Sequence, residues 1–243
     1  MKKTFVLAAF FLLSLSCLAQ EPNSPPNVTL KWAPTGLLVG SVSLQAEYNY
    51  MGKNSLTAKI GIPANRKHSF EYEDKDAEFD MKATSFLAGY RMYLSKSKHL
   101  KGIYLEPFFK YVHHTSEGVG QGTLNNRNVT MSFTNNYNGF GVGAQLGAQF
   151  LIGKRFVIDL FLLGPEINSA KNNFRAVEIT NSIPWTHVEA GEAEQDIRNF
   201  LDQFPFIRNK TDIMVNQSSK TVTADFRGAL PGIRTGVSFG IAF

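Results

Sequence analysis

Apolar and polar residues take turns along much of this chain, and the alternation is cleanest at 233–243. There Ile233, Thr235, Val237, Phe239, Ile241 and Phe243 make one face, while Arg234, Gly236, Ser238, Gly240 and Ala242 make the other. A period of two over this length predicts a β-strand with one apolar face. The second face holds small residues and one arginine, which suits a crowded polar interior better than open water.

The same alternation predicts strands at 28–33, 41–50, 55–62, 81–94, 102–114, 137–151 and 155–164. In 41–50, Val42, Leu44, Ala46, Tyr48 and Tyr50 oppose Ser43, Gln45, Glu47 and Asn49. In 155–164, Phe156, Ile158, Leu160 and Leu162 oppose Arg155, Val157 and Asp159. After "PTGLLVG" the connections are short and long by turns. "MGKN", "SKSKHLKG" and "GK" are turns rich in Gly, Asn, Ser and Lys, whereas 63–80, 115–136 and 165–230 are long. Outer-membrane barrels are connected this way, with the short turns in the periplasm, and a soluble sandwich has no reason for such one-sidedness. The expectation is an all-β protein: an eight-stranded antiparallel up-and-down transmembrane β-barrel with a long, partly helical extracellular loop at 165–230.

Composition narrows the alternatives. A mean hydropathy of −0.14 and the lack of any interior run near ~20 apolar residues exclude a helical membrane protein. A barrel escapes that test because every second residue of its strands is polar. The start, "MKKTFVLAAFFLLSLSCLAQ", has two lysines, an apolar core and small residues, and reads as an export signal spanning 1–19. Cleavage after Ala19 is the expectation, with lipidation at Cys17 as the rival. Cleavage after Ala19 removes the only cysteine and leaves 20–243 to be stabilised without disulfides. The net charge of +5 is spread out, without the Lys/Arg runs that grip nucleic acid.

Two stretches carry a resemblance. A last strand ending in Phe243 resembles outer-membrane barrels generally, where that end is read by the barrel-assembly machinery. The resemblance implies Phe243 as a terminal assembly signal and that machinery as a partner in biogenesis. More narrowly, "GYRMYLSKSKHLKGIYLEPFFKY" is similar to the hairpin of a family of uncharacterised Bacteroidota outer-membrane barrels. That family typically has an Arg-Tyr-Tyr-Leu-like strand, a Lys/Ser turn and a Gly-Phe-Tyr-like strand. Tyr90 to Leu94 and Gly102 to Tyr104 match, with Met92 where an aromatic is commoner, and "LKWAPTGLL" also looks familial. The likeness covers mostly strands, and 165–230 lies outside it. The family has no assigned activity, so the resemblance implies a fold and an outer-membrane location but no site.

Three constellations are candidates for function. By parity Lys31, Lys59, Arg91, Lys110, Arg155 and Arg234 point inward with Glu47, Glu106 and Asp159, joined by Gln45, Gln145 and Gln149. A barrel of eight strands is just wide enough for its side chains to fill, so these read as a polar plug; a narrow anion-selective channel is the alternative. In "YVHHTSEG", His114 and Ser116 are residue types of a hydrolase and resemble the His-x-Ser pair of small barrel deacylases of lipid A. Parity aims them inward, away from lipid, and no motif fixes an acidic partner. The histidine spacing suggests no metal site, and "EGVGQG" reads as flexible loop, not as a phosphate cradle. In the long segment, Thr186 and Glu189 form a capping box, and Ala190, Ala193, Ile197, Phe200, Leu201 and Phe204 share one helical face that Pro205 terminates. Its flanks "NFRAVEIT" and "TDIMVNQSSKTVTADF" have the pattern of strands or a hairpin. The helix is expected to pack on its own loop or to cap the barrel mouth, with docking of a protein or ligand, or disorder, as the alternatives. Loops on a rigid scaffold carry function, so 165–230 is where a specific function is expected.

The expectation for function is a small non-enzymatic outer-membrane barrel, envelope-structural or surface-binding. It contacts outer-membrane lipid and lipopolysaccharide, and needs no cofactor. A lipid A deacylase-like hydrolase and a channel are the alternatives.

Overall fold

The computed structural model describes residues 25–64, 66–72, 75–94 and 100–243. The export signal, with its choice between Ala19 cleavage and Cys17 lipidation, lies outside them. In chain order the strands are β1 (Val28–Ala33), β2 (Ser41–Asn49), β3 (Asn54–Pro63), β4 (Arg66–Tyr72), β5 (Lys75–Tyr93), β6 (Gly102–Leu124), β7 (Arg127–Ile152) and β8 (Phe156–Glu178). Then come helices α1 (His187–Asp202) and α2 (Pro205–Arg208), and strands β9 (Thr211–Asn216) and β10 (Thr221–Ala242). Each strand runs antiparallel to its neighbours. β3 and β4 both pair with β5, so together they act as one interrupted strand. β10 returns to β1, with Phe239 opposite Trp32 and Ala242 opposite Thr29, and the Phe243 carbonyl accepts from the amides of Asn27 and Val28. The result is a ring of eight strands with no free edge at this level.

The walls are uneven. β1 ends at Ala33, where the 3-10 turn Pro34–Val39 folds over. β6, β7 and β8 run on for about twenty-three residues or more and rise well above it. The expected loops at 63–80 and 115–136 are therefore mostly strand. β6 and β7 continue to a two-residue turn at Asn125 and Asn126, whose positive φ of 48° and 58° is tolerated by asparagine. The 165–230 segment also begins and ends as strand, inside β8 and β10. Sequence alternation faded there because the outer face turns polar while the inner face mixes Gly, Asn, Phe and Val. From Gly228 to Ser238, β10 pairs only with β8 among the described residues, and the ring stands open on that side.

A bulge sets the faces of β8. Phe161 pairs with Gly236 and Gly164 with Arg234, so Leu162 is an extra residue. Leu162 and Leu163 both point outward, 60% and 52% exposed. Beyond the bulge the even-numbered residues face in. The outward face of the ring is apolar and bare: Leu30, Leu44, Leu56, Ile60, Phe86, Ile103, Phe140, Val142, Phe150 and Phe239 are all exposed. Among the described residues no helix is long and apolar enough to cross a membrane.

Candidate functional site

The interior of the ring is filled by charge. Lys31 Nζ donates to Glu47 (2.9 Å), Gln149 (2.7 Å) and Asp159 (2.7 Å). The Arg91 guanidinium donates to Glu106 (2.7 Å), Gln149 (2.7 Å), Asp159 (3.0 Å) and Glu47 (3.2 Å), and lies 3.7 Å over the Tyr104 ring. Tyr93 and Tyr104 donate to Glu47 and Asp159, and Thr57 to Glu106. The side chains of Lys31, Glu47, Arg91, Glu106 and Asp159 have no solvent exposure. Leu100, fully buried with Val157 and Ala242, closes the floor, and its carbonyl accepts from Gln149.

The remaining cations lie elsewhere. Lys110 pairs with Glu166, which the Leu162 bulge turns inward. Lys59 and Arg234 flank the Phe161 ring, at 5.2 and 5.6 Å from its centre. Arg155 sits in the turn before β8, half-buried, with its carbonyl accepting from Ala242. Tyr93, Tyr104, Thr57 and Glu166 are members that sequence parity alone did not single out.

At the tall end, α1 lies across the inward face of the extended sheet. The capping box forms: Glu189 N–H donates to Thr186 Oγ1, and Thr186 N–H to Glu189 Oε2. Ala190, Ala193 and Trp185 pack on Leu124, Val129 and Val222, with Ile197 beside them. Phe200 and Phe204, expected on the same buried face, stay 42% exposed each. An ion cluster fastens the helix. Arg127 donates in a fork to Glu178 (2.7 and 3.0 Å) and also to Glu189 (2.8 Å), while Trp185 Nε1 donates to Glu178 (2.5 Å). The Arg127 fork pulls the Glu178 carboxyl down to about 2, with the Trp185 indole adding to it against the opposing effect of burial. Glu189 is lowered too, first by the Thr186 amide and then by Arg127.

Between α1 and the sheet are two adjoining cavities, of about 500 and about 260 Å³. Phe133, Phe174, Ile197 and Phe200 line both. The larger reaches down to His114, Ser116, Asn135 and Asn172; the smaller reaches up to Trp185 and Val222. The glycines of "EGVGQG" lie on β6 and make this depth possible. A Cβ on Gly118 would stand 2.2 Å from the Glu78 carbonyl and 2.7 Å from Phe133, and Gly120 and Gly122 line the smaller cavity. That stretch is a strand, not the flexible loop expected.

His114 and Ser116 do face inward. The His114 ring lies against Tyr137, 5.2 Å between centres, and its Nδ1 has no hydrogen-bond partner. No hydrogen bond joins His114 to Ser116 among those resolved for the described residues, and Glu117 is exposed on the opposite face. Among the described residues no group of three His, Cys, Asp or Glu is placed to hold a metal ion. No family model, curated protein or solved structure matches this chain.

Proposed function

We propose that the protein is an outer-membrane β-barrel that does not conduct and serves to hold a helix-covered binding surface outside the bilayer. The observation that carries the reading is the bare apolar belt. Along β7 its outward residues run from Phe140 to Ile152, and Phe140, Val142, Leu146, Phe150 and Ile152 are each 41–55% exposed. Twelve residue steps of ~3.4 Å each, tilted by ~40°, give a belt roughly 30 Å tall, the thickness of a hydrocarbon core. Soluble proteins do not expose contiguous apolar patches of that extent. Tyr50 and Tyr90, hydrogen-bonded to each other at 3.2 Å, suit one interface of the belt.

Above the belt the same strands turn polar on their outer face, with Thr115, Glu117, Asn136, Lys171, Asn173 and Arg227. This favours an orientation with the short turns in the periplasm and α1 outside the cell. The buried ion network supports a barrel closed to ions, and the lack of an acidic hydrogen-bond partner for His114 among the described residues favours binding over hydrolysis. The kinship to the Bacteroidota barrels stands as part of the proposal.

Protease treatment of intact cells tests it. Cuts are expected at 179–186 and 203–210, where Ile183 and Phe206 are 71% and 69% exposed, with 50–53 and 153–155 cut only after lysis. Cleavage at the short turns of intact cells would overturn the orientation, and fractionation of the chain away from membranes would overturn the whole reading.

A further inference from the structure

We propose that the joined cavities under α1 bind a single-chain amphiphile with an uncharged, hydrogen-bonding head. The inference rests on the orientation above, which puts the cavities outside the bilayer. Among the described residues, those around the larger cavity include no Asp, Glu, Lys or Arg. A charged head would be desolvated there without a counter-charge, which is costly. The polar groups gather at one end. His114 offers an unpartnered Nδ1, and Ser116, 8% exposed, faces the same space with Asn135 and Asn172. From Ser116 to Leu124 on β6 is eight residues, roughly 26 Å at ~3.3 Å each. Along that length Phe133, Phe174, Ile197, Phe200 and Val222 form the walls, and Gln121, Thr123 and Asp196 also border the smaller cavity, away from the His114 end. A long apolar slot with a neutral polar end matches a straight hydrocarbon chain carrying an alcohol or amide. The combined space is of the size that small-ligand sites take.

The protein holds two tryptophans, which make the test direct. Trp32 lies on the bare outward face of β1, and Trp185 lines the smaller cavity. The chain is reconstituted in phosphatidylcholine vesicles as W32F and titrated with 12-bromododecan-1-ol. Saturable quenching of Trp185 is expected, stronger than with the 2-bromo isomer, because the head sits at His114 and the chain end points to Trp185. Affinity for unbranched alcohols is expected to rise about fourfold per added methylene until the slot is full. Ala224→Leu, which fills the larger cavity, should weaken binding at least tenfold, while Leu201→Ala, which enlarges it, should move the preferred chain length upward. Heat-dependent gel mobility checks that both variants are folded.

Quenching that is linear in alcohol, or unchanged by both variants, overturns the proposal. So does quenching of Trp185 by brominated phosphatidylcholine, which would mean that a bilayer chain occupies the slot. The Trp32 contribution, taken as wild type minus W32F, reports separately on the bilayer reading. If brominated phosphatidylcholine leaves it unquenched, the membrane reading fails whatever Trp185 does.

Discussion

Arg91→Met tests whether the ring is held together by its charged interior. In the wild type the guanidinium meets three carboxylates, Glu47, Glu106 and Asp159, and the amide oxygen of Gln149. Among the described residues Lys31 is the one other cation at hydrogen-bond distance, reaching Glu47 and Asp159, and Tyr93, Tyr104 and Thr57 add neutral donors. Methionine keeps much of the volume but leaves Glu106 with Thr57 as its remaining side-chain donor. Breaking a buried ion pair by removing one partner costs about 3–5 kcal/mol. With a urea slope near 2 kcal/mol/M, a loss of about 4 kcal/mol lowers the unfolding midpoint by about 2 M. The assay is urea titration in vesicles, read by the gel mobility that separates folded from unfolded barrel. Asp159→Asn provides the internal comparison. The network opposes two cations to three anions, so removing one anion evens the balance and is expected to cost less than Arg91→Met. A loss below 1 kcal/mol for Arg91→Met, or a larger loss for Asp159→Asn, would refute the account of the plug.

Other outcomes follow from the tall end and the glycines. Arg127→Ala leaves Glu178, which is 2% exposed, with the Trp185 indole as donor and Lys220 at 3.9 Å, and is expected to loosen α1 by about 1–2 kcal/mol, discounted because Arg127 is itself partly solvated. Faster proteolysis near Gln203 with an unchanged urea midpoint for the ring would show it. The fastening is also acid-sensitive. Glu178 is held below its ordinary 4.5, at about 2, so its stabilisation is complete above pH 4.5 and is lost as pH falls from there through about 2. Hydrogen exchange of α1 should therefore quicken across that window while the ring stays protected. Gly147→Ala puts a Cβ 2.4 Å from the Tyr104 ring and 2.6 Å from the Leu160 carbonyl; a cost of about 1–3 kcal/mol in the same urea assay is expected from overpacking.

Alternation revealed the ring because its two faces meet opposite environments. Where Val42, Leu44 and Ala46 face out and Ser43, Gln45 and Glu47 face in, parity is right for every residue, and the pairing of β2 with β1 and β3 agrees. The pattern fails above the belt for a physical reason. There the outer face is polar and the inner face mixes Gly, Asn, Phe and Val, so 115–136 has no period to read although it is strand throughout except at its turn. The helix was legible down to its capping box, since Thr186 and Glu189 act locally. Its seat was not, because that depends on Leu124, Val129 and Val222 meeting from three strands.

The bulge at Leu162 joins these two regimes. Strict period two would carry the odd residues of β8 inward past Phe161, leaving Ile167 inside and Glu166 in the apolar belt. The extra residue reverses this: Ile167 is 46% exposed on the outside, and Glu166 meets Lys110 within. The same shift brings Asn172, Phe174, Ala176 and Glu178 to the inner face, where the first three line the cavities and the fourth takes the Arg127 fork. A local irregularity thus gives β8 both of its inner faces, a polar one within the belt and a ligand-sized one above it. Sequence alternation alone could not reveal it, because Leu162 and Leu163 are both apolar and either residue satisfies the outward pattern.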